Sequence, residues 1–361
     1  MGKNWRRMNT AYNFESIKEI IEKIEKKDLS DYAQLSSKSR GRKYPEEESN
    51  IRTVYMKDRD RIIHSSSFRR LKDKTQVFIF SANNLLRTRL THTLEVAQIS
   101  RTIAKALRLN EDLVEAIALG HDLGHPPFGH VGERTLAKLF SRGFRHNIQS
   151  LRVVDFLEKN GSGLNLSYEV RDGILKHSKF GEKLFENRVS LEPITLEGKI
   201  VKICDRVAYI NHDLDDALRF GLISKKDIPL NTVKILGETH SKRINTIVID
   251  IVKSSLNKTS IIMSEKVLNA IEETRDFLFK NVYRHRIIEK ESLKAERIIS
   301  ELFNFYKHNP KTLIKKTSDI KYKEVSIERR IVDYISMMTD EFALYEYKKY
   351  MMPRRLFRIK L

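Results

Sequence analysis

ALGHDLGHPPFGH, residues 118–130, decides how this chain is read. Upstream of it, Leu113, Val114, Ile117 and Ala118 make one apolar stripe over a helix at 111–122. His121 lies three and four residues beyond Ala118 and Ile117, so the stripe carries its imidazole into the interior. Gly124 and the Pro126-Pro127 pair then stop the helix, leaving His121 and Asp122 together at its C-terminal mouth. A buried imidazole beside a buried carboxylate needs a partner, because an unpaired charge in an apolar interior is expensive. A metal ion supplies one.

Working outward, two further stretches offer ligands of the same kind. His92 stands in RLTHTLEV (89–96), and Asp205 in KICDRVAYINHD (202–213). Imidazole nitrogen and carboxylate oxygen form a mixed set suited to Mn, Fe, Mg or Zn. Around Asp205, Ile203, Val207, Ile210, Leu214 and Ala217 form the apolar face of a helix over 195–220. Asp205, Tyr209 and Asp213 form a second ridge at successive i+4 steps. One histidine, or one His-Asp dipeptide, is more often packing than ligand. The His, His-Asp, Asp combination is the signal, and it points to phosphate-ester hydrolysis.

The bulk numbers constrain less. At 361 residues, 40% hydrophobic and 32% charged, the chain reads as globular with ample core. Sixty-eight Lys and Arg against 48 Asp and Glu leave +20, which favours polyanionic partners and fits a lysine-rich solvated surface equally well. The one cysteine, Cys204, excludes an intramolecular disulfide and a thiolate cage; it reads as a buried, inert thiol. No apolar run reaches membrane-spanning length, and MGKNWRRMNTAYNF lacks the apolar stretch of a secretion signal, so a cytoplasmic protein without membrane contact is expected.

Helical periodicity dominates, at 15–27, 91–109, 111–122, 146–159, 165–178, 195–220, 235–256, 264–289 and 324–350. TQVFIF (75–80) alone reads as a strand, pairing with 85–90 as a small hairpin. The expected architecture is all-α, with that hairpin as its minor exception. Residues 1–50 read as an N-terminal helix and polar arm, 51–230 as the motif-bearing core, and 231–361 as a helical C-terminal region packed on it.

Five strings occur in a telling order: FRRLKDKTQVF (68–78), RTRLTHTLEV (87–96), GHDLGHPPFGHVGE (120–133), HNIQSLR (146–152) and DRVAYINHDLDD (205–216). Together they resemble the HD-domain deoxyguanosine triphosphate triphosphohydrolases (dGTPases) and their bacterial dNTPase relatives, over roughly residues 50–220. The resemblance implies an HD-domain helical bundle with His92, His121, Asp122 and Asp205 as metal ligands, taking Mn2+, Mg2+ or Fe2+. It implies that His130 and Glu133 form a catalytic pair, with His125 and His146 as further active-site histidines contacting the phosphates. Gln76 and Val77 would pack against the deoxyribose, Tyr209 and Asp213 would lie near the sugar, and Arg89 and Arg206 would meet the phosphate chain. The implied reaction cleaves a dNTP at the α-phosphorus, giving deoxynucleoside and inorganic triphosphate. Relatives form oligomers with nucleotide-dependent activation, so a homo-oligomer with an activating dNTP is part of the expectation.

Two rival readings stand beside this one. The ligand set alone also suits another HD-type phosphohydrolase or phosphodiesterase, against which GHPPFGHVGE and HNIQSLR argue. The +20 charge and the tail MPRRLFRIK (352–360) also suit nucleic acid, single-stranded DNA included, with hydrolysis secondary. Base preference and metal identity are not written in the residues.

Overall fold

The structure is a computed structural model, and it describes residues 17–78, 87–178, 192–322 and 324–353. The fold is all-α. Among the described residues only two isolated antiparallel bridges occur, Arg42 with Ser167 and Thr75 with Thr88. The expected hairpin falls largely on 79–86, outside the described residues. Its second strand is wrong at one end, since Arg89 and Leu90 are already helical. Thr88 caps that helix by accepting from the Thr91 amide while Thr91 caps in return, so local capping outbids strand pairing there.

Three helices form the frame of the centre. They are α4 (Arg89–Ala106), α5 (Glu111–Gly120) and α9 (Leu196–Arg219), which pack on one another. Asn110 starts α5 by accepting from the Leu113 amide, with Glu111 and Asp112 complementing the dipole of the first turn. Thr195 starts α9 in the same way, accepting from the Gly198 amide. Ile200, Val201, Cys204, Val207 and Leu214 of α9 are fully buried, so this helix has neighbours on more than one side. Around the frame lie α1 (Ile17–Asp28), α2 (Val54–Ile63), α3 (Ser66–Arg70), α6 (Gly129–Leu139), α7 (His146–Arg152) and α8 (Tyr168–Lys176). The polar arm before α2 is pinned down: Arg42 pairs with the buried Asp58, whose other oxygen accepts from the Ser167 amide at 2.8 Å.

The chain past residue 230 divides between two apolar clusters. Helices α10 (His240–Ser255) and α11 (Glu265–Leu278) add Ile247, Ile251, Ile271 and Leu278 to the core that α4, α5 and α9 share. Helices α12 (Arg286–His308), α13 (Pro310–Lys316), α14 (Ile327–Ser336) and α15 (Asp340–Met351) build a second cluster with α6, in which Phe128 and Leu136 meet Ile299, Phe303, Ile331 and Ile335. One continuous helix was expected over 324–350. It breaks at 337–339, where Thr339 becomes the cap of α15 by accepting from the Phe342 amide. The break frees Asp340 to accept from the Thr75 amide and the Phe128 amide, both at 2.9 Å.

Candidate metal centre

Helix α5 ends at Gly120, and His121 caps it with its ring turned inward. Its Nδ1 donates to the Ala118 carbonyl at 2.6 Å, which leaves Nε2 as a bare acceptor; that atom is buried and has no hydrogen-bond partner. His92, on the first turn of α4, places Nε2 3.0 Å from Asp205 Oδ1. His121 Nε2 lies 3.8 Å from the same oxygen and 3.5 Å from Asp122 Oδ1, and His92 Nε2 lies 3.9 Å from Asp122 Oδ2. Ligand bonds of about 2.1 Å put neighbouring donors about 3.0 Å apart and opposed donors about 4.2 Å apart. All four separations fall in that interval. His92, His121 and Asp205 gather within 4.8 Å of one another, and Asp122 joins His121 in an adjoining group. The orphaned imidazole nitrogen and the N,O donor set both fit a divalent cation.

Electrostatics agree with a site prepared for positive charge. Burial would raise Asp205 and Asp122, but the His92 hydrogen bond and His121 beside the first, and His121 and Arg89 beside the second, hold both carboxyls below their ordinary range. For His92, burial is outweighed by Asp205, which raises it. Arg89 is itself 1% exposed and donates to Asp122 Oδ2 at 2.7 Å, while its Nη2 and Nε have no hydrogen-bond partner. An unsatisfied buried guanidinium suits an anionic ligand.

The turn after His121 is shaped by close backbone approach. A Cβ on Gly124 would stand 2.1 Å from the Ser150 amide nitrogen, so only glycine lets α7 come this near. Phe128 and Gly129 both have left-handed φ, and a Cβ on Gly129 would crowd the Gln76 carbonyl and Arg89 Nη2. Helix α6 begins at Gly129. On it His130, with its side chain 53% exposed, puts Nδ1 3.5 Å from Oε2 of the buried Glu133. Glu133 Oε1 accepts from both Nδ1 and the backbone amide of His146, each at 2.8 Å. Burial would raise Glu133, but His146 and His130 keep it well below the usual carboxylate range, and Glu133 in turn raises His146 against burial. His125 stacks on His146 with centroids 4.1 Å apart, and burial next to Arg89 and His146 drives it well below its usual value.

The remaining sequence-derived residues differ in what they already hold. Gln76 is buried with Oε1 unpartnered, and Val77 is half-buried against the main core. Tyr209 is half-buried on α9, its hydroxyl pushed up to about 12 by burial. Asp213 Oδ2 accepts from the Tyr283 hydroxyl at 2.5 Å, and Arg206 pairs with Glu272 at 2.9 Å. Two buried histidines went unread in the sequence. His212 Nε2 meets His92 Nδ1 at 3.0 Å and so orients the His92 ring, while its own Nδ1, although 3.0 Å from Asp213 Oδ1, has no hydrogen-bond partner. His177 caps α8, donates from Nδ1 to the Ile174 carbonyl at 2.7 Å, and sets Nε2 3.1 Å from His146 Nε2. Its signal was available: a histidine closing a helix that carries the apolar positions Val170 and Ile174, as His121 closes α5.

Comparison with known proteins converges on one family. The HD domain matches residues 89–210, and the phosphohydrolase-associated domain matches 261–349. A deoxyguanosinetriphosphate triphosphohydrolase-like protein of Caldanaerobacter subterraneus subsp. tengcongensis is 50% identical over 93% of this chain and 96% of its own length. Proteins of the same description from Desulfatibacillum aliphaticivorans and Clostridium tetani are 47% and 44% identical, each over 94% of this chain and 99% and 97% of their own. Similarity at that level and span leaves one conclusion: the chain belongs to the deoxyguanosinetriphosphate triphosphohydrolase-like family of HD-domain phosphohydrolases.

Proposed function

We propose that this phosphohydrolase is a divalent-metal-dependent dNTP triphosphohydrolase, releasing deoxynucleoside and inorganic triphosphate. The observation that carries the reading is the convergence of His92, His121 and Asp205 within 4.8 Å, with Asp122 adjoining, around the orphaned His121 Nε2. These four residues would hold Mn2+, Mg2+ or Fe2+, which supplies Lewis-acid polarisation of a phosphoryl oxygen and eases deprotonation of water.

The chain's own residues do the rest. Arg89, buried and under-satisfied, binds phosphate oxygens. His125 and His146 line the same wall and orient the phosphate chain. His130 is the exposed member of the histidine group, so it moves a proton between the reacting atoms and solvent, with Glu133 orienting its ring. Gln76, Val77 and Tyr209 form the sugar face. Arg206 and Asp213 would have to trade Glu272 and Tyr283 for substrate, so the reading asks most of these two. Among the described residues no helix is long and apolar enough to cross a membrane. A cytoplasmic homo-oligomer with an activating dNTP belongs to the same reading.

The test is product analysis. The protein is incubated with each of the four dNTPs, singly and with a second dNTP, across Mn2+, Mg2+ and Fe2+, and the products are resolved. Triphosphate and nucleoside are expected in equal amounts. Monophosphate plus pyrophosphate, or hydrolysis of cyclic nucleotides alone, would overturn the reading in favour of another HD-type activity.

A further inference from the structure

Helix α6, which carries His130 and Glu133, has no side-chain cap of its own. Its cap residue is Phe128, held at φ 62° in the left-handed region, where a bulky side chain is an outlier. Gly129 follows at φ 55°, and a Cβ there would stand 2.9 Å from the Gln76 carbonyl oxygen. The start of α6 and the Thr75-Gln76 stretch are therefore in close backbone contact. One side chain spans the two. Asp340 accepts from the Phe128 amide on Oδ1 and from the Thr75 amide on Oδ2, each at 2.9 Å. The two oxygens of a carboxylate are rigidly spaced, so these bonds set how far apart the two amides stand. Lys74, next to Thr75, adds a parallel tie by donating to the His125 and Ser336 carbonyls. Asp340 opens α15, inside the stretch 261–349 that matches the phosphohydrolase-associated domain, whereas Phe128 lies inside the HD match at 89–210.

We propose that Asp340 is a positioning residue for the hydrolysis, fixing the gap between the sugar-facing pair Gln76-Val77 and the start of α6 with His130. The inference rests on the reading of this protein as a dNTP triphosphohydrolase. It gives the phosphohydrolase-associated domain a part in the reaction through a residue that touches no substrate. The turn at Phe128 explains why such a tie is needed, since a backbone in that region persists only where its surroundings over-determine it. Without the carboxylate, Phe128 relaxes and His130, two residues on, moves with it. Thr75 is released at the same time, and Gln76 and Val77 follow. Rate and sugar discrimination thus depend on one side chain.

The experiment measures kcat and KM for a dNTP and for the matching ribonucleotide, by triphosphate release, on full-length wild type, Asp340→Ala, Asp340→Asn and Glu346→Gln. The ratio of kcat/KM between the two substrates does not depend on how much of a sample is folded, so it separates positioning from instability. Glu346, further along α15, accepts from Tyr306 and Lys316 and touches neither amide, so Glu346→Gln loosens the same helix and should keep the wild-type ratio. In Asp340→Ala the dNTP rate should fall about 10²-fold, the cost of a misplacement of about 1 Å, and the ribonucleotide-to-deoxyribonucleotide ratio should rise about 10-fold. Asp340→Asn, which keeps one acceptor oxygen, should fall between. An unchanged ratio in Asp340→Ala, or an equal shift in Glu346→Gln, overturns the assignment and leaves the dNTP reading standing. A wild type that releases no triphosphate from any dNTP overturns that reading, and this inference with it.

Discussion

The motif-bearing frame of α4, α5 and α9 and the motif-free helices α12 to α15 make opposite contributions to one centre. The frame supplies donors: every proposed metal ligand sits on α4, on α9 or at the end of α5. The C-terminal helices supply none, yet they grip the turn that aims those donors. Asp340 accepts from the Thr75 and Phe128 amides, and the Ser336 carbonyl accepts from Lys74. Asp333 accepts from Arg152 and from Gln149, which lie beside His146 on α7. The proposed ligands thus lie before residue 220 and the residues that grip their turn after residue 330, and both stretches match family models.

The contrast can be broken by substitution on either side. The largest effect is expected from His121→Ala, which should abolish both turnover and manganese binding, read by hydrolysis assay and dialysis. His130→Ala should keep the metal and lose about 10²–10⁴-fold in kcat, the range for a proton-transfer residue; near-normal turnover would remove His130 from the chemistry.

On the other side, Asp340→Ala should keep all proposed ligands yet cost roughly 2–4 kcal/mol of stability, because two amides lose a charged acceptor. Denaturant unfolding checks this, and an unchanged midpoint would mean that the C-terminal grip is unimportant.

Lys74 sits where the halves meet, fully buried, donating to the His125 and Ser336 carbonyls; burial and the nearby Arg70 lower it to about 7. The unfolded lysine keeps its proton up to about 10.4, so between these values the unfolded state binds more protons and folding stability rises with pH. Lys74→Met loses that rise, so its deficit against wild type should widen from pH 7 to pH 10 in parallel unfolding curves. The smallest effect is expected from Val77→Ala, a gain of about 10-fold in ribonucleotide over deoxyribonucleotide hydrolysis, the scale of a methyl-sized gap. An unchanged ratio would take Val77 out of sugar selection.

Much of this was legible in the residues, and the reasons are local. His121 could be placed because apolar periodicity fixes which way a helix end points, and Gly124 with Pro126-Pro127 fixes where that helix stops. Asp205 stands on the second ridge of α9, which periodicity alone leaves open to an exposed face, so its place in the ligand set came from the motif strings. His212 was not legible, because what gives it meaning is a neighbour 120 residues away; for His177 the helix end is legible, but not its partner His146, 31 residues away. The break before α15 was missed for a similar reason. The apolar pattern runs on through Met337 and Met338, and what stops the helix is the Thr339 cap, with Asp340 drawn to the distant Thr75 and Phe128 amides. Of the hairpin, the Thr75–Thr88 bridge is present, but the helix begins one residue later.

Cys204 adjoins Asp205, a proposed ligand, is wholly buried, and has its thiol pushed up to about 12 by that burial. A thiolate-seeking reagent can reach it only when α9 comes away from its neighbours. The single thiol is therefore a native stopwatch for the opening of α9, and its labelling rate should fall as divalent cation is added.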